Sequence, residues 1–343
     1  MQTCSLSHGA MEVLVTGDYI NIKDMVSFFH PLFTVSNQYS GKNELLCTIK
    51  LITCCENIFT SISATYKSEN KENVILYPSK RPDHHVEAFR VISEEVDENP
   101  VLYTNDYLIV CNPQSKTVEL YYIEGRHIHQ LLRVIIRDMF LRGWEQKGGL
   151  LLHASAVCKY ESAIIFVGPK GSGKTNAQLE CVNKDWSFLS FDRIMLQVDC
   201  GGEIQCLGWP TYFNLDFPTI DRFCNIFKDY RRYRTIRPDK DEKISLQAKD
   251  VDHLSFLRRG HLEQICFPHY GSIRQEAFGK AEAIKLVLNE IFPSAGSSWH
   301  GFVPLSIDAY HQSSNRLKQI LDDEYIYLDG CLLKGSESKN AGI

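Results

Sequence analysis

Up to residue 125 the hydrophobic positions come in short runs rich in Val, Ile, Leu and Tyr: MEVLVTG (11–17), NELLCTIKLITCC (43–55), NVILYP (73–78), EAFRVISEEV (87–96), DYLIVCN (106–112) and TVELYYIEG (117–125). Turn formers at Gly17–Asp18, Pro78, Asn112–Pro113 and Gly125 punctuate them, so these runs predict β-strands. The last two read as a hairpin with its loop around Asn112–Lys116. KSENKEN (67–73) reads as a surface loop, and the charged stretch 81–100, with its two prolines, as a loop or edge.

After residue 125 the period changes. RHIHQLLRVIIRDMFLRG (126–143) places Ile128, Leu131, Leu132, Ile135, Met139 and Phe140 at helical spacing, with Gly143 as a stop. GGLLLHASAV (148–157), the polar turn KYES and AIIFVG (163–168) then predict a strand, a turn and a second strand. EAIKLVLNEIF (282–292) carries the stripe Ile284, Val287, Leu288 and Ile291; it predicts a final helix used as core or as a subunit contact, which leaves a homo-oligomer open. The expected fold is mixed α/β (α+β) in two parts, a β-rich accessory domain over 1–125 and an α/β domain over 126–330. A flexible tail over 331–343 follows.

Composition adds constraints. The chain has 343 residues, 44% hydrophobic and 23% charged, which is globular rather than disordered. Lys+Arg 37 against Asp+Glu 42 gives a net charge of −5, so neither nucleic acid nor a polybasic membrane contact is expected as a partner. No apolar run approaches the length of a membrane span, and the first residues lack the basic-then-apolar pattern of a secretory signal. The twelve cysteines form no C-x-x-C pair and no zinc-finger spacing. They read as buried reduced thiols, and a cytoplasmic location is expected. His84–His85 and His127/His129 read as surface or helix-start residues, because neither pair has the i, i+4 spacing of helical metal ligands.

The chemistry concentrates after Val167. Gly168-Pro169-Lys170-Gly171-Ser172-Gly173-Lys174-Thr175 matches G-x-x-x-x-G-K-S/T between an apolar strand run (163–167) and a helical run (176–182). Glycines at 171 and 173 allow positive φ and let backbone amides approach an anion. The loop ends at a helix N-terminus, whose dipole and free N–H groups favour phosphate. Lys174 can reach β and γ phosphates, and the Thr175 hydroxyl can ligate Mg²⁺. The expected ligands are therefore ATP and Mg²⁺. Beyond the loop, a strand over 186–191 ends in Asp192 and is followed by another over 194–198. Asp192 is placed either at the end of a neighbour of the loop strand, where it could hold Mg²⁺ or take a proton, or in a turn between two hairpin strands.

The order LLLHASAV, a turn, AIIFVGPKGSGKT, then LSFDR resembles the HPr kinase/phosphorylase family and its relatives, which share a nucleotide-binding core with ATP-dependent PEP carboxykinases. The HASAV context is closest in look to the serine kinases that tailor lasso-peptide precursors. The resemblance covers roughly 126–200; GWPTYFNLDF (208–217), DEKISL (241–246) and LEQICFP (262–268) match in character only. It implies transfer of the ATP γ-phosphate to a hydroxyl, usually a serine of a peptide or protein. It also implies nucleotide and metal roles for Gly168–Thr175, a role near the reacting phosphate for His153, and catalytic or metal contact for Asp192. The family shows two adjacent aspartates where this chain has Phe191-Asp192. Either Asp192 does both jobs, or another carboxylate such as Asp185 or Asp216 substitutes, or nucleotide binds without turnover. The missing aspartate favours peptide tailoring over HPr regulation; a small-molecule kinase, a nucleotidyl transferase and a nucleotide-sensing module stay open. Arg231, Arg232, Arg234, Arg237, Lys243, Arg258 and Arg259 are candidate clamps or a solvated face. Trp209-Pro210 shapes a loop near the nucleotide or packs in the core.

Overall fold

The structure is a computed structural model and describes residues 2–17, 28–66, 70–77, 86–91, 100–126, 128–199, 201–227, 244–251, 253–268, 279–292, 307–328 and 330–334. The chain divides into two compact units, the first built chiefly from Met1–Phe29 and Phe33–Gln146, the second from Lys147–Pro293 and Ile307–Ile343 with His30–Leu32. His84–His85, His127, Lys243 and the arginines at 231, 232, 234 and 237 lie outside the described residues.

The first unit contains β1 (Gln2–His8), β2 (Met11–Gly17), β3 (Thr34–Ser36), β4 (Glu44–Cys54), α1 (Glu56–Tyr66), β5 (Lys71–Tyr77), β6 (Val86–Val91), β7 (Val101–Tyr103), β8 (Tyr107–Asn112), β9 (Thr117–Ile123) and α2 (His129–Gln146). Its strands form one nine-stranded sheet in the order β3-β1-β2-β4-β9-β8-β7-β6-β5. The β8–β9 hairpin turns where the sequence places it: Asn112 Oδ1 accepts the Ser115 amide at 2.8 Å and Lys116 takes φ 51°. Residues 71 and 72, read as loop, are strand, and 87–91 are strand as the run EAFRVISEEV predicts, because β5 and β6 pair with each other antiparallel. Gly143 does not stop α2. It lies inside the helix because a Cβ there would meet Met11 Sδ at 2.7 Å and Leu46 Cδ2 at 2.8 Å. Its absence of side chain is what lets α2 press onto β2 and β4. That packing keeps α2 with the first unit, although the sequence boundary falls at 125/126.

The second unit contains β10 (Gly149–Leu152), β11 (Ala154–Lys159), β12 (Ser162–Val167), α3 (Lys174–Val182), β13 (Ser187–Ser190), β14 (Ile194–Val198), β15 (Ile204–Gly208), β16 (Phe213–Leu215), α4 (Phe217–Arg222), β17 (Ile244–Leu246), β18 (Arg259–Cys266), α5 (Lys280–Asn289), α6 (Ile307–Glu324), β19 (Tyr325–Leu328) and β20 (Cys331–Lys334). The main path of its sheet is β10-β14-β15-β18-β12-β11-β13, with β20 on the second half of β18 and β19 on β20. Two corrections to the sequence reading follow. The helix over 280–289 is not the last, since α6 buries Leu317, Ile320 and Leu321 beside it. Residues 331–334 are not tail, since β20 pairs with β18 and buries Leu332 completely. The rest of that tail, 335–343, lies outside the described residues.

One face of this sheet packs Ala154, Ala156, Ile165 and Val167 against Ala283, Ile284 and Val287 of α5 and Leu317 and Leu321 of α6. On the other, Leu179 of α3 joins an aromatic group of Phe188, Phe191, Phe213 and Phe227. Full burial of each Val, Leu, Ile or Phe side chain among these contributes about 1.5–3 kcal/mol. Gly208 marks a tight approach: a Cβ there would lie 2.4 Å from the Leu189 carbonyl oxygen. Backbone cannot yield as a side-chain tip can, so Gly208→Ala is expected to cost about 1–3 kcal/mol. A urea midpoint unchanged from the wild type would contradict this.

Candidate functional site

The β11–β12 hairpin turns on Tyr160 and Glu161, both at positive φ (51° and 70°), as a two-residue type I′ turn requires. It delivers β12 directly into the glycine-rich loop 168–173. Gly168, Gly171 and Gly173 take φ of 154°, 86° and 90°, conformations that glycine adopts without penalty. A Cβ on Gly171 would meet nothing within 4 Å, so this glycine is required by its torsion and leaves open space beside the loop. Lys174 Nζ donates to the Gly168 carbonyl and, at 3.3 Å, to that of Pro169, so the side chain curls back over its own loop. Gln178, wholly buried on α3, donates to the carbonyls of Ala156 (2.9 Å) and Ser190 (2.6 Å). It thereby ties the helix behind the loop to β11 and β13.

Ser172 is 7% exposed, and its Oγ meets no hydrogen-bond partner among the described residues. An unsatisfied buried hydroxyl costs about 1–3 kcal/mol, and here it sits in a loop built from anion-binding parts. The loop lines a cavity of about 480 Å³, together with His153, Asn176, Phe191, Asp192, Tyr212, Phe213, Asp216 and Thr219.

His153 and Asp192 reach this cavity through matching interruptions in two strand lines. β10 and β11 break at His153, while β13 and β14 break at Phe191–Arg193. β10 pairs with β14 and β11 with β13, and Leu152↔Ile194 and Ala156↔Ser190 are four residues apart on both lines, so the register carries across the gap. The turn is therefore not a hairpin. Nor does the Asp192 strand adjoin the loop strand, because β11 lies between β13 and β12. The gap frees both side chains from the ladder and lets them meet: His153 Nε2 lies 3.2 Å from Asp192 Oδ1.

The other ring nitrogen, Nδ1, lies 2.7 Å from Glu290 Oε2. Glu290 caps the C-terminus of α5. It is placed by a short run of pairing in which the His153 amide donates to the Glu290 carbonyl, Leu152 bridges Ile291, and the Phe292 amide donates to Leu151. The imidazole is thus held between two carboxylates. The Asp192 hydrogen bond raises its pKa above the ordinary 6.5, Glu290 adds to this, and burial and the Lys174 charge oppose it. The charged imidazolium therefore persists to higher pH than in a free histidine. Any stability it gives is complete below 6.5 and fades as pH climbs through the raised value.

The two substitute carboxylates part company. Asp216 lines the cavity and caps α4, its Oδ1 accepting the Thr219 amide at 2.8 Å. Asp185 sits in the turn after α3, φ 64°, away from the cavity lining. Phe191 stacks on Phe213 at 4.4 Å and 7° within the aromatic core. Arg258 donates to the Pro31 carbonyl at 2.8 Å and Arg259 opens β18; neither lines the cavity. Lys170 and Lys174 do. Trp209 is fully buried and serves packing, while Tyr212 and Phe213 after it face the cavity.

Among the described residues no group of three His, Cys, Asp or Glu side chains could hold a metal ion by itself. Thr175 and Asp192 nevertheless both border the cavity, and one hydroxyl and one carboxylate suit Mg²⁺, which draws its remaining ligands from phosphate and water. No helix among the described residues is long and apolar enough to cross a membrane. No protein-family model matches the chain, and no curated protein matches it either.

Proposed function

We propose that the second unit is a P-loop phosphotransferase of HPr kinase-like type. In this reading it moves the γ-phosphate of ATP to a hydroxyl, with a serine of a peptide or protein as the preferred acceptor in a reducing cytoplasm. The observation that carries this reading is a glycine-turned loop, with its buried, unpartnered Ser172 hydroxyl and its own Lys174 and Thr175, set in one cavity with His153 and Asp192.

Each residue then has a task. The amides of 171–175 and the Ser172 hydroxyl bind phosphate oxygens, and Lys174 swings from its own loop carbonyls onto the β and γ phosphates. Thr175 and Asp192 would hold Mg²⁺, which when bound offsets phosphate charge. Asp192 Oδ1 is occupied by His153, leaving Oδ2 to accept the proton of the incoming hydroxyl. Glu290 fixes the imidazole from behind. Phe191 and Phe213 give the cavity a dry wall that disfavours attack by water.

The test is incubation with ATP, Mg²⁺ and serine peptides, read by intact mass. A gain of one phosphoryl group on a peptide is expected. A gain of an adenylyl group would make the protein a nucleotidyl transferase. Nucleotide binding without any acceptor product would favour a sensing module, the reading to which a buried Phe191 in place of an aspartate lends weight.

A further inference from the structure

Away from the cavity, the pairing of β20 brings two thiols face to face. β20 joins the second half of β18 with Ile265 opposite Leu332 and Cys266 opposite Cys331. The Phe267 amide donates to the Gly330 carbonyl at 3.0 Å. Residues 267 and 330 are thus a hydrogen-bonded pair, and Cys266/Cys331, one step along, is a non-hydrogen-bonded pair. In such pairs the Cα atoms are about 4.5 Å apart and the side chains approach most closely, inside the Cα window of about 4.4–6.8 Å that a disulfide accepts. The two sulfurs lie 2.9 Å apart and are not joined in a disulfide. Ile265 and Leu332 point into the core under α5 and α6, so the cysteines share the opposite face, where each is partly accessible.

We propose that Cys266 and Cys331 are a redox-closable dithiol, a modification site at which a disulfide oxidant such as oxidised glutathione staples β20 to β18. In the first step the Cys331 thiolate attacks the oxidant, forming a mixed disulfide and releasing one glutathione. In the second, Cys266 loses its proton and attacks the Cys331 sulfur, expelling the second glutathione. One disulfide is formed and one consumed, and the two protons end on the two released thiols. Either sulfur can take either role, because the two face each other across the pair; the neighbouring Cys331 sulfur, and after it burial, hold the Cys266 thiol far above the ordinary range. Its fixed position against Cys331 supplies the effective concentration that offsets this. β18 also runs parallel to β12 with Phe166 beside Cys266, so the staple closes one strand from the root of the phosphate-type loop.

The experiment needs no nucleotide. The folded protein is equilibrated with oxidised glutathione, quenched in acid and mapped by peptide mass, with modification of the exposed Cys55 and Cys224 showing that the oxidant has acted. One linked peptide pair holding Cys266 and Cys331 is expected. Tm should rise by about 5 °C or more over the reduced form and return on adding dithiothreitol. Cys331→Ala and Cys266→Ala should each remove the link and the Tm rise. Recovery of both residues as free thiols, or as two separate glutathione adducts, after Cys55 and Cys224 are fully modified would overturn the proposal.

Discussion

Replacing Lys174 by alanine is expected to weaken MgATP binding by about 100-fold or more, a loss comparable to one or two charge-assisted hydrogen bonds at about 1.5–3 kcal/mol each. Two effects add. The ammonium proposed to meet the phosphates is gone, and so is the tie between Lys174 Nζ and the carbonyls of Gly168 and Pro169. Lys170→Ala is the matched control. Lys170 also lines the cavity, but it is exposed, and its charge is screened by solvent, so its loss should cost only a few-fold. Isothermal titration calorimetry on the three proteins separates the cases. Equal affinities for Lys174→Ala and wild type would remove the nucleotide from this loop, and the phosphotransfer reading would go with it.

The reason so much of this loop was legible is that its parts are local. Strand, six-residue turn and helix follow one another without interruption, and the glycines at 171 and 173 take the torsions their positions demand. Elements with weak local signals were not legible. QTCSLSH holds only Cys4 and Leu6 as apolar residues among polar ones, and it becomes β1 by pairing with β2 along its whole length. ENIFTSISATY is rich in β-branched residues of modest helix propensity, and α1 forms by laying Phe59 onto the sheet. In α6 only Leu317, Ile320 and Leu321 are buried in eighteen residues, too sparse a stripe to announce itself. Gly143 reads as a stop by residue type, and only the nearness of Met11 and Leu46 explains its place inside α2. The candidate site divides the same way. His153 and Asp192 stand out by their setting, but Glu290 has no signature. Its place beside His153 depends on a bridge between Leu152 and Ile291, far apart in sequence.

Asp192→Asn is expected to lower phosphoryl transfer by about 10²- to 10⁴-fold while leaving nucleotide affinity within a few-fold of wild type. The asymmetry follows from what the carboxylate touches. Asp192 is half exposed and bonds His153 through Oδ1 at 3.2 Å, an interaction an amide oxygen can still accept. Asparagine has almost the same shape, so the loop and its ties through Gln178 should stay as they are. What the amide cannot do is take a proton at the second oxygen or offer a charge to Mg²⁺. The nearest rival, Asp216, caps α4 through Oδ1, a task asparagine performs as well, so Asp216→Asn should cost about 1 kcal/mol or less of stability and, with Asp192 as the acceptor, leave transfer nearly intact. Single-turnover rates and nucleotide affinities measured on both variants decide between them. If Asp216→Asn abolished transfer and Asp192→Asn did not, the proton-accepting role would belong to the α4 cap, and the coincident strand breaks that join His153 to Asp192 would be an architectural feature rather than a catalytic one.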